Sequence, residues 1–100
     1  MKFEMIIFHP LAQKELADVI SYYQIRNKEI AVEFLNTVES STNLLVRYPE
    51  IGSKVRGSIR RFIIPKFSYS LLYRLTDNQQ IYILALAHHK QKPDFWSSRK

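Results

Sequence analysis

Phe67-Ser68-Tyr69-Ser70-Leu71-Leu72-Tyr73-Arg74-Leu75 decides the fold of this chain. Phe67, Tyr69, Leu71, Tyr73 and Leu75 alternate with Ser68, Ser70, Leu72 and Arg74. A period of two separates two faces only in a β-strand. Thr76-Asp77-Asn78-Gln79 supplies turn formers, and Ile81-Tyr82-Ile83-Leu84-Ala85-Leu86-Ala87 returns as an almost wholly apolar strand. A strand apolar on both faces belongs inside a sheet, with helices over at least one side. With the stretch from Ser58 ahead of it, the region predicts three consecutive strands. They run out at His88-His89-Lys90-Gln91-Lys92-Pro93-Asp94-Phe95-Trp96, a polar, basic and aromatic tail. The last strand therefore delivers its polar residues to one edge of the molecule, where any chemistry is expected.

Working back toward the N-terminus, Lys2–Phe8 reads as a short strand, with Phe3, Met5 and Ile7 facing one way. His9-Pro10 opens a helix, because proline at the first helical position lacks only an N–H that has no partner there. Ala12, Leu16, Val19, Ile20 and Tyr23 fall on one stripe, and Lys14, Glu15 and Asp18 lie off it. Arg26-Asn27-Lys28 breaks the pattern. A second helix carries Ile30, Ala31, Phe34, Val38, Ser41 and Leu45, and it ends before Pro49, which excludes helical backbone at the preceding residue. Helices over Pro10–Asn27 and Lys28–Tyr48 joined so tightly form a hairpin. Pro49-Glu50-Ile51-Gly52 is a turn, and Ser53 to Gly57 a basic connection into the sheet.

The predicted order is β-α-α-β-β-β with a short helical tail after Pro93. Segregated helices and a strand meander make one α+β domain over residues 1–100, the hairpin covering one face of a small antiparallel sheet. Lys2–Phe8 should pair beside a later strand, since alone it cannot satisfy its backbone groups. The other face, carrying Arg60, Phe62 or their neighbours, is expected to be partly open.

Hydrophobic residues make up 46% of the sequence, which fits a packed core and excludes a disordered chain. With no cysteine there is neither a disulfide framework nor thiolate chemistry, in keeping with a reducing cytoplasm. The apolar N-terminal run is too short for a signal sequence and carries Glu4, and no segment approaches the ~20 apolar residues that span a bilayer. A soluble cytoplasmic protein is the expectation. Fifteen Lys+Arg against nine Asp+Glu give a net charge of +6, which attracts nucleic acid, ribosomes or acidic proteins. After Glu50 the only acids are Asp77 and Asp94, so the basic surface belongs to the sheet and tail.

His88 and His89 are adjacent on a strand and point to opposite faces, so they do not chelate one ion, and no metal site or cofactor is expected. A histidine at a strand end beside Lys90 and Lys92 suits general acid or base work, or simply ends the strand. By the same alternation, one of Arg60 and Arg61 faces the helices and one the open side, where it pairs with phosphate or carboxylate. Tyr22, Tyr23, Tyr69 and Tyr73 read as packing residues. Trp96 buries its ring and anchors the tail. Two glycines leave no phosphate-cradling loop.

Taken in order, these pieces resemble the RelE/ParE superfamily of toxins from bacterial type II toxin–antitoxin (plasmid stabilisation) modules, closer to the ParE side. The resemblance runs through the helix from Ala12 to Tyr23, Ala31-Val32-Glu33-Phe34, and Leu45 to Gly52 ending in Tyr48-Pro49-Glu50-Ile51-Gly52. It continues through Arg60-Arg61, Phe67 to Arg74, and Ile83 to His88 leading into Phe95-Trp96-Ser97-Ser98-Arg99. It implies a growth-inhibiting toxin held in a hetero-oligomer by a cognate antitoxin. ParE-like members inhibit DNA gyrase without catalysis, and RelE-like members are mRNA interferases that cut messages on the ribosome. The nuclease branch carries a Tyr-Arg-Leu motif, and here Tyr69-Ser70-Leu71 puts serine in place of its arginine. Lys90 stands where the tail arginine is expected and Phe95-Trp96 where the tyrosine is. For a nuclease the resemblance leaves His88, His89 and Lys90 as catalytic residues. For a binding toxin it leaves Arg60, Arg61, Lys90, Lys92, Trp96 and Arg99 as contact residues. A harmless basic binding domain is the third reading.

Overall fold

The computed structural model describes residues 5–92 and 94–99. Strand β1, Met5–Phe8, leads into helix α1, Pro10–Arg26, and helix α2, Lys28–Arg47. Each helix boundary has a local cause. His9 caps α1, its Nδ1 accepting from the Leu11 N–H at 3.0 Å ahead of Pro10. Asn27 serves both helices. Its N–H donates to the Tyr23 carbonyl at the end of α1, and its side-chain oxygen accepts from the Glu29 and Ile30 N–H groups at 2.9 and 3.4 Å. One residue thereby satisfies orphan groups at both ends of the hairpin bend. Proline at position 49 stops α2, whose last carbonyl-bonded residue is Tyr48.

Ala31, Phe34, Val38, Ser41 and Leu45 are the buried face of α2, as their helical spacing predicts, whereas Ile30 stays exposed. Ser41 is tolerated inside because its hydroxyl donates back to the Thr37 carbonyl at 2.7 Å.

Four strands follow the hairpin: β2 Ser53–Arg56, β3 Ile59–Ile63, β4 Tyr69–Leu75 and β5 Gln80–His88. The sheet order is β1-β5-β4-β3-β2, with β2 to β5 an antiparallel meander. Three corrections to the sequence reading arise here. The basic connection from Ser53 is an edge strand, and all four of its residues are exposed, so no alternation marked it. Edge strands carry charge for this reason. The sheet is mixed, because β1 runs parallel to β5 with Met5 opposite Gln80 and Phe8 opposite Ile83. Tight turns fix the antiparallel sense only within β2 to β5; the helical hairpin leads from β1 to β2 at the opposite edge, so no local connection sets the sense of β1 against β5. The tail folds as consecutive turns and not a helix: Ser97 N–H donates to the Asp94 carbonyl and Arg99 N–H to that of Trp96. The residues of the predicted first strand before Met5 lie outside those described.

The core divides between the two faces of the sheet. Beneath the helices lie Phe34, Leu45, Ile64, Leu71, Tyr73, Ile81, Ile83 and Leu86, with Phe62 against them. Leu72, Leu84, Ala85 and Trp96 form a smaller cluster on the other face. Of the two alternatives for the open face, Phe62 and Arg60 belong to the helix side and their neighbours Ile59 and Arg61 lie on the open one. Leu84 and Ala85 share one face because β5 bulges. Leu72 pairs with Ala85 and Tyr73 with Ile83, leaving Leu84 unpaired. That slip hides the alternation of β5 in an unbroken apolar run.

Candidate functional site

The end of the meander and the tail build a cleft of about 210 Å³ on the face away from the helices. Val55 of β2, Arg61 of β3, Ser70 and Leu72 of β4, Ala87 and His88 at the end of β5 and the tail residues His89, Gln91, Lys92, Asp94, Phe95 and Trp96 line it. Trp96 is 7% exposed and packs against Leu72, Leu84 and Ala85, so the tail is seated by its ring as its isolation in the sequence suggested.

Two polar clasps hold the same segment. Arg99 forms a bidentate pair with Glu15 of α1, at 2.9 Å to Oε1 and 2.7 Å to Oε2. The pair also serves the bulge of β5: Arg99 donates to the Leu84 carbonyl at 3.0 Å, and Glu15 Oε1 accepts from Leu86 N–H at 3.1 Å. Beyond Phe8 the β1 strand no longer covers this edge, and side chains take over its hydrogen bonds. The second clasp, Arg56 to Asp94 at 3.6 Å, is largely exposed and contributes little.

The two histidines part company. The His88 ring stands edge-on to Tyr69 at 4.9 Å, its Nδ1 accepts from the Lys90 N–H at 3.0 Å, and the backbone N–H of His88 donates to Gln91 Oε1. Tyr69 packs with Phe34 on the helix side. His89 turns to the cleft, where Nε2 lies 3.0 Å from Ser70 Oγ. Alternation along a strand end predicted this divergence.

The candidate cations divide in the same way. Arg60 points inward, donating to the Glu50 and Gly52 carbonyls at 2.9 and 2.8 Å, and its side chain is only 15% exposed. It braces the turn after α2, where Tyr73 Oη donates to the Pro49 carbonyl at 2.8 Å and accepts from Gly52 N–H at 2.9 Å. Gly52 is obligatory, since a Cβ there would meet Tyr73 Oη at 2.7 Å. Burial pushes the Tyr73 phenol above its ordinary pKa, opposed by the Gly52 bond and Arg60 and reinforced by Glu50. Arg99 is occupied by Glu15. Arg61 and Lys92 remain at the cleft, and Lys90 lies on the exposed turn beside it.

Of the residues singled out in the sequence, the structure thus gathers Arg61, His88, His89, Lys92 and Trp96 at one cleft and assigns Arg60 and Arg99 to internal contacts. Glu15 was missed. As one carboxylate off the apolar stripe of a helix it looked solvated, and its role depends on a bulge that no local pattern announces. Among the described residues no group of histidine and acid side chains is arranged to hold a metal. None of their helices is long and apolar enough to cross a membrane. The cleft offers two cations, two imidazoles, the Asp94 carboxylate and an aromatic floor. That set can bind an anionic or acidic surface, and its two imidazoles point apart, His89 to Ser70 and His88 to Tyr69.

Solved structures share this architecture. The chromosomal ParDE toxin–antitoxin system of P. aeruginosa aligns with a TM-score of 0.72 at 16% identity, over 86% of this chain and 96% of that one. The RelBE2 toxin–antitoxin complex of Mycobacterium tuberculosis aligns with a TM-score of 0.60 at 22% identity, over 88% of this chain and 99% of that one. A mutant of the E. coli toxin RelE in the free state gives 0.56 at 19% identity, over 90% and 86% of the two chains. No curated protein matches the chain in sequence. The family model for the ParE toxin of the type II toxin–antitoxin system parDE matches residues 6–93, from β1 through the whole sheet to the tail. The chain belongs to the ParE toxin family of type II toxin–antitoxin systems.

Proposed function

We propose that this toxin arrests growth by binding DNA gyrase and catalyses no reaction itself. The carrying observation is the divergence of the two histidines that line the cleft: the His89 ring meets Ser70, and the His88 ring stands against Tyr69 on the helix side. Cleaving RNA requires a base for the 2′-hydroxyl, an acid for the leaving oxygen and stabilisation of the added charge. Arg61 and Lys92 supply charge, but the two imidazoles are held apart, one on Ser70 and one on Tyr69 with its Nδ1 taken by Lys90 N–H, and are not arranged as base and acid on one phosphodiester. Arg61, Lys92 and Trp96 instead suit a contact surface for an acidic partner. In this reading the toxin acts in the cytoplasm, where gyrase is, and a cognate antitoxin neutralises it in a toxin–antitoxin hetero-oligomer. The test is a supercoiling assay with purified gyrase, beside a reconstituted translation reaction probed for cut messages. Blocked supercoiling with intact messages is the expected result, and codon-register cleavage without gyrase inhibition overturns it.

The second reading, a ribosome-dependent mRNA endoribonuclease, is favoured by the same cations. Arg61, Lys92 and His89 surround a cleft large enough for a phosphodiester. Here His89 is the proton-transfer group, and the ribosome would have to provide its partner.

A further inference from the structure

A second polar hollow lies on the helix side of the sheet. Tyr22 and Tyr23 of α1, Lys66 of the β3–β4 turn, Tyr69 of β4 and His88 of β5 line a space of about 370 Å³. An aromatic stack fixes its walls: Phe34 stands 5.6 Å from the rings of both Tyr23 and Tyr69. Packing explains the rings but not their polar ends. None of the three tyrosine hydroxyls is hydrogen-bonded to another described residue, and no carboxylate lines the hollow.

The polar side chains that line it, the tyrosine and Ser68 hydroxyls, the imidazole and Lys66, can all donate a hydrogen bond. Burial, and next the neighbouring Tyr23 and Tyr22 phenols, hold the Tyr69 proton above its ordinary pKa, so this hydroxyl stays a donor. His88 accepts at Nδ1 from Lys90 N–H, which puts the proton of its neutral ring on Nε2. Arg26 lies over the Tyr22 ring at 3.6 Å and adds positive charge at the rim. Lys66 sits at φ 68°, the left-handed backbone that glycine or asparagine adopts freely and a lysine does not. A lysine in this conformation carries a backbone cost that glycine would not.

We propose that this hollow is a phosphate site, taking the phosphate of a small phosphomonoester or of a nucleic-acid end among the tyrosine hydroxyls, Lys66 and His88. Two alternatives fit less well. A cationic ligand would suit the aromatic walls, but Lys66 and Arg26 repel it. A carboxylate has two oxygens for these donors, whereas a phosphate monoester presents three terminal oxygens and about two charges. The site lies on the opposite face from the cleft and does not depend on the gyrase reading.

Titration of the purified toxin by two-dimensional NMR tests it, with inorganic phosphate, adenosine 5′-monophosphate, and a tetranucleotide with and without its 5′-phosphate. Saturable one-to-one binding at a Kd of about 1 mM or tighter is expected, with shifts centred on Tyr23, Lys66 and Tyr69. Equal binding of phosphate and the mononucleotide identifies a free phosphate group as the ligand. Preference for the 5′-phosphorylated oligonucleotide over both identifies a nucleic-acid end. Tyr69→Phe and Lys66→Gly should each weaken binding by about fivefold or more, the effect of losing one hydrogen bond. Glycine relieves the strained backbone at position 66, so this variant stays folded, as a thermal melt verifies. Absence of saturable binding overturns the proposal. So does loss of binding in Arg61→Ala with retention in Lys66→Gly, which moves the site to the cleft. Competition by an acidic peptide in place of any phosphate also overturns it, because the hollow is then a carboxylate pocket of a protein interface.

Discussion

Glu15 and Arg99 stand 84 residues apart in sequence and meet as a bidentate ion pair, 2.7 Å at its shorter contact. Both are largely withdrawn from water, at 21% and 11% side-chain exposure, so screening weakens the pair little. Through Leu84 and Leu86 the pair also closes the edge of β5 that β1 leaves uncovered. It joins the first helix, the bulged strand and the tail into one unit. Arg99→Ala leaves the Glu15 carboxylate buried without its partner and should destabilise the protein by about 3 kcal/mol. Glu15→Gln keeps an acceptor for Leu86 and should lose less. Urea unfolding followed by Trp96 fluorescence checks both, and Arg99→Ala should red-shift the native emission as the tail loosens.

Tyr73 ties the turn at Pro49 and Gly52 to the centre of the sheet. Tyr73→Phe leaves Gly52 N–H without its acceptor and should cost about 1–3 kcal/mol. Gly52→Ala drives a methyl group into the same hydroxyl and should cost a comparable amount, since overpacking by one carbon typically costs about 1–3 kcal/mol.

The same phenol sets a pH dependence. Tyr73 and Tyr69 are both raised above the ordinary 10.0 in the folded state, burial being the first cause. The folded protein thus holds these protons more tightly than the unfolded chain. Their contribution is complete below the unfolded pKa and is lost as pH rises past it through the folded values. Thermal melts should show stability falling above about pH 10, with a shallower fall in Tyr73→Phe. A flat profile through that range would contradict the assignment.

Leu71 and Ile83 have no exposed surface and sit under the helices on adjacent strands. Leu71→Asp or Ile83→Asp buries a carboxylate without a partner and should cost about 3 kcal/mol or more, enough to unfold a small domain. Loss of the cooperative thermal transition checks this.

Much of this fold was legible because its elements obey local periods. The stripe Ala31-Phe34-Val38-Ser41-Leu45 and the alternation of β4 each reveal a face without reference to other parts of the chain. What escaped were features decided by distant partners. The β2 edge has no buried residue and so no pattern, and the parallel docking of β1 is on β5, the last strand of the chain, with which it shares no direct connection. Leu84 reads as one more apolar residue in a run until its pairing shows a bulge. The site divides along the same line. The opposite facing of His88 and His89 and of Arg60 and Arg61 follows from strand geometry. Which arginines are free depends on Glu15, Glu50 and Gly52, which lie far from them in sequence or act through backbone oxygens.

The tail separates the two mechanisms of growth arrest. For a toxin that works by contact, His88 contributes its bonds to Lys90 N–H and the packing on Tyr69. His88→Ala should then leave toxicity largely intact, because one polar contact is worth about 0.5–1.5 kcal/mol. Trp96→Ala should damage toxicity more, since removing a buried aromatic costs about 3–5 kcal/mol and unseats the segment that carries Lys92 and Phe95. His89→Ala discriminates most sharply, because the His89 ring turns to Ser70 in the cleft whereas the His88 ring packs on Tyr69. A contact role predicts a modest loss that tracks gyrase affinity. A proton-transfer role predicts a fall of about 10²- to 10⁴-fold in message cleavage with an unchanged melting temperature. Growth inhibition, gyrase binding and thermal stability measured on the three variants decide the matter. A folded, non-toxic His89→Ala protein that still binds gyrase, beside message cleavage by the wild type, would reject the contact mechanism.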